Sequence, residues 1–359
     1  MRAPAIIMKI LVLALSGIGD ALMFTPALEA VKTRYPDAEI DAVVMFKGVE
    51  DIYKRNPHFN KVTYFNFLGE GIFNSIKFIL KISRQYEYSV NVYPANRKEY
   101  NLIQFLLGAK FRAGVRYIRQ DKRNLGFLNT SRITEKDSLH NVEENILQME
   151  KLLGFKADTK PAMQFPVSAV DISVADTFIE KYNLKDSAPL IGFHPGCATL
   201  KNHIKRRWEP ERFAALGKKL IESNNATILL FGGPEELELK TRIHAEINSD
   251  KCIVTGLDNL GQSAALIERC DVFVTNDSSL MHVAAAMQRK TVAIIGPTNI
   301  AYIHPWLTDY KIVSLNLECA PCFFYSPKPL SCSRTDMQFK CIKMLDVDLV
   351  YQAVCEYLI

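Results

Sequence analysis

Four short segments carry the side chains and glycines from which a site could be built. The first, Ser16-Gly17-Ile18-Gly19-Asp20, follows an apolar run at residues 9–15. Gly17 and Gly19 let the backbone turn tightly and come close to a ligand, and a helix starting there offers free N–H groups to an anion. Asp20 puts a carboxylate at the carboxyl end of that run, where it could take a proton as a general base; as a helix cap it would do no chemistry. The turn is not a dinucleotide fingerprint, because Leu22 stands at its third glycine position.

The second segment is His194-Pro195-Gly196, followed by Lys205-Arg206-Arg207-Trp208. A turn at Gly196, then Lys205 and Arg206 beside a flat aromatic, suits a diphosphate with a nucleoside next to it. The plainer reading makes the basic run surface charge and Trp208 an anchor for the next helix. The third is Phe231-Gly232-Gly233-Pro234-Glu235-Glu236. After the turn at Gly232 and Gly233, an acid such as Glu235 could accept hydrogen bonds from ribose hydroxyls, or merely complement a helix dipole.

The fourth is the richest: Asn276-Asp277-Ser278-Ser279, with His282 one turn further on, and then Gly296-Pro297-Thr298 after another apolar run. The strand ending at Thr275 delivers Asp277, while Ser278 and Ser279 open a helix whose N–H groups and hydroxyls could hold a diphosphate without metal. His282 points back toward that end, either to touch phosphate or sugar or as a buried structural histidine. No cofactor and no metal is expected. Cys319, Cys322, Cys332 and Cys341 space as C-x2-C-x9-C-x8-C, which lacks a second tight pair, so packing cysteines are preferred to structural zinc.

Elements that would position these segments alternate along the chain. Apolar strands at 10–15, 40–46, 61–65 and 88–92, a helix at 20–34 and another from Asn141 to a Gly154 cap describe a doubly wound α/β first half. A second series opens at Leu190: strands at 190–194, 227–231, 251–254, 272–275 and 291–295, with helices at 209–223, 234–248, 260–269 and 278–287. The reading is a first domain at 1–160, a linker at 161–189 containing one helix at 170–182, a second domain at 190–340, and a C-terminal helix at 341–359 packing back on the first domain. The halves share no obvious sequence repeat.

At 359 residues, two cores are expected. Apolar residues make up 48% and charged residues 23%, so disorder is excluded. The opening residues resemble a secretion signal, but Lys9 interrupts the apolar stretch; a buried strand is the better account, with Met8 an alternative start. Uncharged residues 291–308 are broken by Gly296-Pro297 and Pro305, so they do not read as a membrane helix. The protein is expected in the cytoplasm, touching the inner membrane only at its surface.

Between residues 97 and 123, eight basic residues face two acidic ones, a local excess of six against a whole-chain net charge of +5. Such a cluster, including Arg97, Arg112 and Arg116, favours phosphates or anionic headgroups, or is a solvated face. No zinc-finger, aromatic RNA-binding or heptad pattern accompanies it, so nucleic acid is not an expected partner.

In order along the chain, these motifs resemble glycosyltransferase family 9, the heptosyltransferases. The resemblance runs from Ser16, Gly19 and Asp20, through His140 ahead of the helix ending at Gly154, to the P-G, R-W, G-G-P-E, N-D-S-x-x-x-H-x-A-A-A and G-P-T segments. It implies a GT-B fold: two Rossmann-like domains facing across a cleft, with acceptor mainly on the first and nucleotide-sugar donor mainly on the second. It also implies ADP-heptose as donor, a phosphorylated or lipid-linked glycan of the lipopolysaccharide core as acceptor, Asp20 as catalytic base, and a diphosphate held by Asp277, Ser278, Ser279 and His282. Arg206 stands where the family usually has lysine, Ser279 where it usually has glycine, and an insertion separates Gly196 from the basic group; the late cysteines also resemble a segment of many members. The competing readings are another nucleotide-hexose donor, a non-catalytic nucleotide-sugar binder and a nicotinamide-dependent oxidoreductase; the last lacks its dinucleotide turn.

Overall fold

A continuous apolar run is what an interior parallel strand needs, since helices cover both of its faces. In the computed structural model, which describes residues 8–119, 121–184, 188–324 and 329–358, the run Lys9–Ala14 forms such a strand and is buried after Lys9. The first unit continues as β1 (Lys9–Ala14), α1 (Ile18–Arg34), β2 (Glu39–Val44), α2 (Lys47–Arg55), β3 (Lys61–Tyr64), α3 (Gly71–Ile82), β4 (Tyr88–Asn91), α4 (Lys98–Leu106), β5 (Phe111–Arg116), β6 (Ser131–Thr134) and α5 (Asn141–Leu153). The last helix ends at Gly154 in the left-handed conformation, φ 69°, as the sequence suggests. All pairings are parallel, in the order β3-β2-β1-β4-β5-β6.

The second unit comprises α6 (Ala169–Lys181), β7 (Leu190–His194), α7 (Pro210–Asn224), β8 (Thr227–Leu230), α8 (Leu237–Ile247), β9 (Cys252–Val254), α9 (Leu260–Ile267), β10 (Val272–Asn276), α10 (Ser279–Ala286), β11 (Lys290–Ile294), α11 (Ile300–Ile303), β12 (Tyr310–Val313), α12 (Lys340–Lys343) and α13 (Val347–Cys355). Its parallel sheet runs β12-β11-β10-β7-β8-β9. In chain order within each unit, both sheets therefore wind as 3-2-1-4-5-6. Each has one switch point, β1/β4 in the first and β7/β10 in the second, where adjacent strands send their connections in opposite directions and open a crevice for ligand.

The chain divides into compact units between Pro166 and Val167, not at a linker spanning 161–189. The reason is α6. Ser168 caps it through an N–H donated by Asp171, and it packs on α9, with Arg269 reaching Asp176 at 2.9 Å. Likewise α13, expected on the first domain, lies on α7, β11 and β12 of the second unit. Val350 and Val354 enter that unit's core. Residues 1–7 of the expected start and 185–187 of the expected linker lie outside the described residues.

Candidate functional site

At the first switch point the chain leaves β1 and enters α1 through Gly17. Ser16 donates to the Pro94 carbonyl beyond β4, at 2.9 Å, which ties the two carboxyl ends together. Asp20 is the third residue of α1 rather than its cap, and its Oδ2 accepts the Gly17 N–H at 3.1 Å. Gly19 lies inside the first helical turn. Three tyrosines surround this carboxylate electrostatically: burial pushes the hydroxyls of Tyr53, Tyr100 and Tyr117 upward, and the charge of Asp20 adds to each shift. All three stay neutral: Tyr53 donates to the Ala21 carbonyl and Tyr100 to that of Leu15, while the Tyr117 oxygen accepts the Ala95 N–H.

Beneath that rim, α5 turns a polar stripe inward. Asn141, Glu144, Asn145 and Gln148 are all buried. Asn145 satisfies the backbone of Tyr93, while Glu144 accepts from the Lys136 N–H through one oxygen and has no partner for the other. Burial raises the Glu144 carboxyl to about 7.

The second switch point is stitched more densely. His194, at the end of β7, joins Nδ1 to the Ser278 hydroxyl at 2.8 Å and Nε2 to Glu236 at 3.0 Å. Asn276 donates to the Pro195 carbonyl at 2.7 Å and accepts the Trp208 N–H at 2.9 Å. Arg206 is buried and paired with Asp277, whose same oxygen accepts from the Thr298 hydroxyl at 2.5 Å. The Arg206 guanidinium also lies 5.6 Å from the Phe323 ring centre. Ser278 caps α10 and Ser279 is its first residue, so helix N–H groups and a buried guanidinium converge at one strand end.

The structure thus brings Arg206, Asp277, Ser278, Ser279 and Thr298 together. Others fall elsewhere. Lys205 is exposed, and so is Glu235; the organised acid is its neighbour Glu236, which accepts from His194, Arg207 and the Gly233 N–H. A Cβ on Gly196 would lie 1.6 Å from the Glu236 carboxylate, and Gly232 adopts φ 146°, so these two glycines make room for that side chain. Gly296 makes room for Ile342. The signal for Glu236 was present in the sequence: after cap Gly233 and first residue Pro234, it is the third position, where a capping-box acid sits. Trp208 is fully buried and donates its indole N–H to the Leu345 carbonyl at 2.9 Å, which makes it the anchor. His282 is buried and held down to about 4 by burial, a neutral imidazole within electrostatic reach of Asp277 and Arg206.

Among the acceptor candidates, Arg112 is spent on the carbonyls of Leu128 and Ala109. Arg97 is half-buried over Tyr100, and Arg116 is exposed at the end of β5. Burial, with the neighbouring late cysteines adding to it, pushes the thiols of Cys322 and Cys341 up; among the described residues no group of three or more His, Cys, Asp or Glu is placed to hold a metal ion.

The family model described as glycosyltransferase family 9 (heptosyltransferase) matches residues 84–330. The chain belongs to glycosyltransferase family 9. Lipopolysaccharide heptosyltransferase 2 of Salmonella typhimurium is 29% identical over 317 residues, covering 86% of this glycosyltransferase and 88% of that protein. Lipooligosaccharide heptosyltransferase 2 of Haemophilus influenzae is 29% identical over 321 residues, with 86% and 89% covered. The solved structure of E. coli ADP-heptose lps heptosyltransferase II has a TM-score of 0.74 at 24% identity and covers 98% of each chain. That of E. coli heptosyltransferase WaaC with ADP-2-deoxy-2-fluoro heptose scores 0.67 at 18% identity, with 97% and 99% covered. The likeness shows the fold of this family 9 enzyme, two Rossmann-like units of the GT-B class.

Proposed function

We propose that this glycosyltransferase moves heptose from ADP-heptose to a lipid-linked, phosphorylated glycan of the lipopolysaccharide core, in the cytoplasm beside the inner membrane. The observation that carries the reading is the buried Arg206 guanidinium beside the N-terminus of α10, at the switch point of the second sheet. Positive charge and N–H dipoles aimed at one spot stabilise the charge that develops on a departing nucleotide diphosphate, so no metal ion is required of the reaction. Ser278 and Ser279 add hydroxyls, and Thr298 holds Asp277 in place.

The acceptor hydroxyl loses its proton to Asp20 and attacks the anomeric carbon in a single displacement, with inversion. In support, the Asp20 carboxylate is half-buried and fixed by the Gly17 N–H at the first switch point. Exposed Arg116 and half-buried Arg97 serve acceptor phosphates.

Thermal unfolding with ADP-heptose, ADP and uridine-diphosphate hexoses tests the donor. A ligand at 100 times its Kd stabilises by about 2.7 kcal/mol. ADP-heptose is expected to raise the midpoint and uridine sugars to leave it unchanged; the opposite pattern installs the nucleotide-hexose reading. Undiminished transfer in excess chelator, with an inverted anomeric centre in the product, completes the test.

A further inference from the structure

One side of α3 packs on the first sheet: Ile79 is buried, and Phe78 and Ile82 join a core with Leu11, Leu13, Val43 and Met45. Its other side is also apolar, and faces out. Phe73 is 89% exposed, Ile72 76% and Leu80 68%, with Ile76 and the preceding Leu68 exposed as well. At 100° per residue, Ile72, Ile76, Leu80 and Phe73 cover one continuous arc, and Lys77 and Lys81 fill the next. The neighbouring α4, in contact with α3, adds exposed Leu102, Phe105 and Leu106. Exposed Arg84, Lys98 and Lys110 lie around this surface, against the acids Glu70 and Glu99.

A soluble surface scatters its apolar side chains; seven on two adjoining helices, with Leu68 just ahead of them, form a patch that water disfavours. The basic arc selects the occupant. An apolar face bordered by lysines whose stems can run along it while the ammonium groups stay wet is the pattern of a helix lying in a membrane interface. A second copy of the chain is the poorer fit, because an isologous contact sets the same cationic patch against itself.

We propose that α3, with the outer face of α4, docks in the plane of an anionic lipid bilayer. Phe73, Ile72, Ile76 and Leu80 enter the boundary between headgroups and acyl chains, and Lys77 and Lys81 meet the headgroup charge. The docking is independent of donor and acceptor, so it stands or falls apart from the proposed reaction.

Co-sedimentation with vesicles of equimolar phosphatidylcholine and phosphatidylglycerol, and of phosphatidylcholine alone, tests it on the full chain. The wild type is expected to bind the anionic vesicles more tightly, with a fraction of the binding surviving high salt because apolar burial is not screened. Phe73→Asp combined with Leu80→Asp is expected to lower binding at least about tenfold, with an unchanged melting midpoint because both side chains are exposed. The indole introduced by Phe73→Trp is expected to shift its emission to the blue on anionic vesicles and to be quenched by brominated acyl chains. Absence of vesicle binding, equal binding by the double variant, or an unshifted and unquenched indole overturns the proposal. So does a wild-type dimer that the double variant dissolves while vesicles go unbound, which would give the face to a second copy.

Discussion

Asp20 and Glu236 occupy the same local place in the two units: each is the third residue of a helical turn entered through a glycine cap, and each accepts that cap's N–H, at 3.1 and 3.3 Å. Their surroundings differ. Asp20 is half-buried, whereas Glu236 is closed in by His194, Arg207 and the close approach of Gly196. A carboxylate that must exchange a proton needs solvent or substrate within reach, while one that sets geometry gains from exclusion of water. Under the proposed reaction the first rim turns over a proton and the second holds fixed charge.

The largest effects would break this contrast outright. Asp20→Asn keeps an oxygen for the Gly17 N–H and removes the base, so kcat should fall about 10²–10⁴-fold with an unchanged melting midpoint; a rate within a few-fold of wild type would end the assignment. Arg206→Ala should do the reverse of sparing the fold. It strands Asp277 as a buried, uncompensated charge, a loss of about 3–5 kcal/mol for breaking such a pair, visible in denaturant melts together with lost donor affinity.

Gly196→Ala sharpens the contrast at smaller cost. The added methyl collides with the Glu236 carboxylate and must push it off His194, an overpacking penalty of about 1–3 kcal/mol. Adding Glu236→Ala removes the colliding group, so the pair should be less destabilised than the sum of the singles; simple additivity would show that the collision is absorbed elsewhere.

The smallest effect concerns the polar stripe under the first rim. Glu144 titrates at about 7 in the fold against an ordinary 4.5, so the unfolded chain releases its proton first as pH rises. The folded state then binds more protons between these values, and stability must fall from pH 4.5 to about 7. Glu144→Gln should flatten that decline in melts across the window; an unchanged slope assigns it to another group.

Much of the frame was legible because buried parallel strands are written as continuous apolar runs. The run at 190–194 matches β7 at both ends, and those near β1, β8 and β10 miss by a residue or so. Strands β5 and β6 went unread because FRAGVR and SRIT are half-buried pieces near a sheet edge, mixed with arginines. Strand β12, the corresponding edge of the second sheet, escaped because YKIV is likewise mostly half-buried and holds a lysine. Arg206, Asp277 and Ser278, singled out from residue type and spacing, do come together at one strand end. Glu235 was preferred to Glu236 because the turn was read as chemistry before it was read as a cap. Trp208 and His282 were open between ligand and core roles, and only burial separates those, since the same flat, polar-edged side chains serve both.

The indole of Trp208 hangs on the carbonyl of Leu345, and Arg212 holds the same oxygen. Trp208 in turn takes the amide oxygen of Asn276, the residue before Asp277. The tail of the polypeptide is thereby wired to the strand end that leads into α10, so damage far down the chain, around Leu345, would be felt as slackness at Asn276 and at the Asp277 beside it.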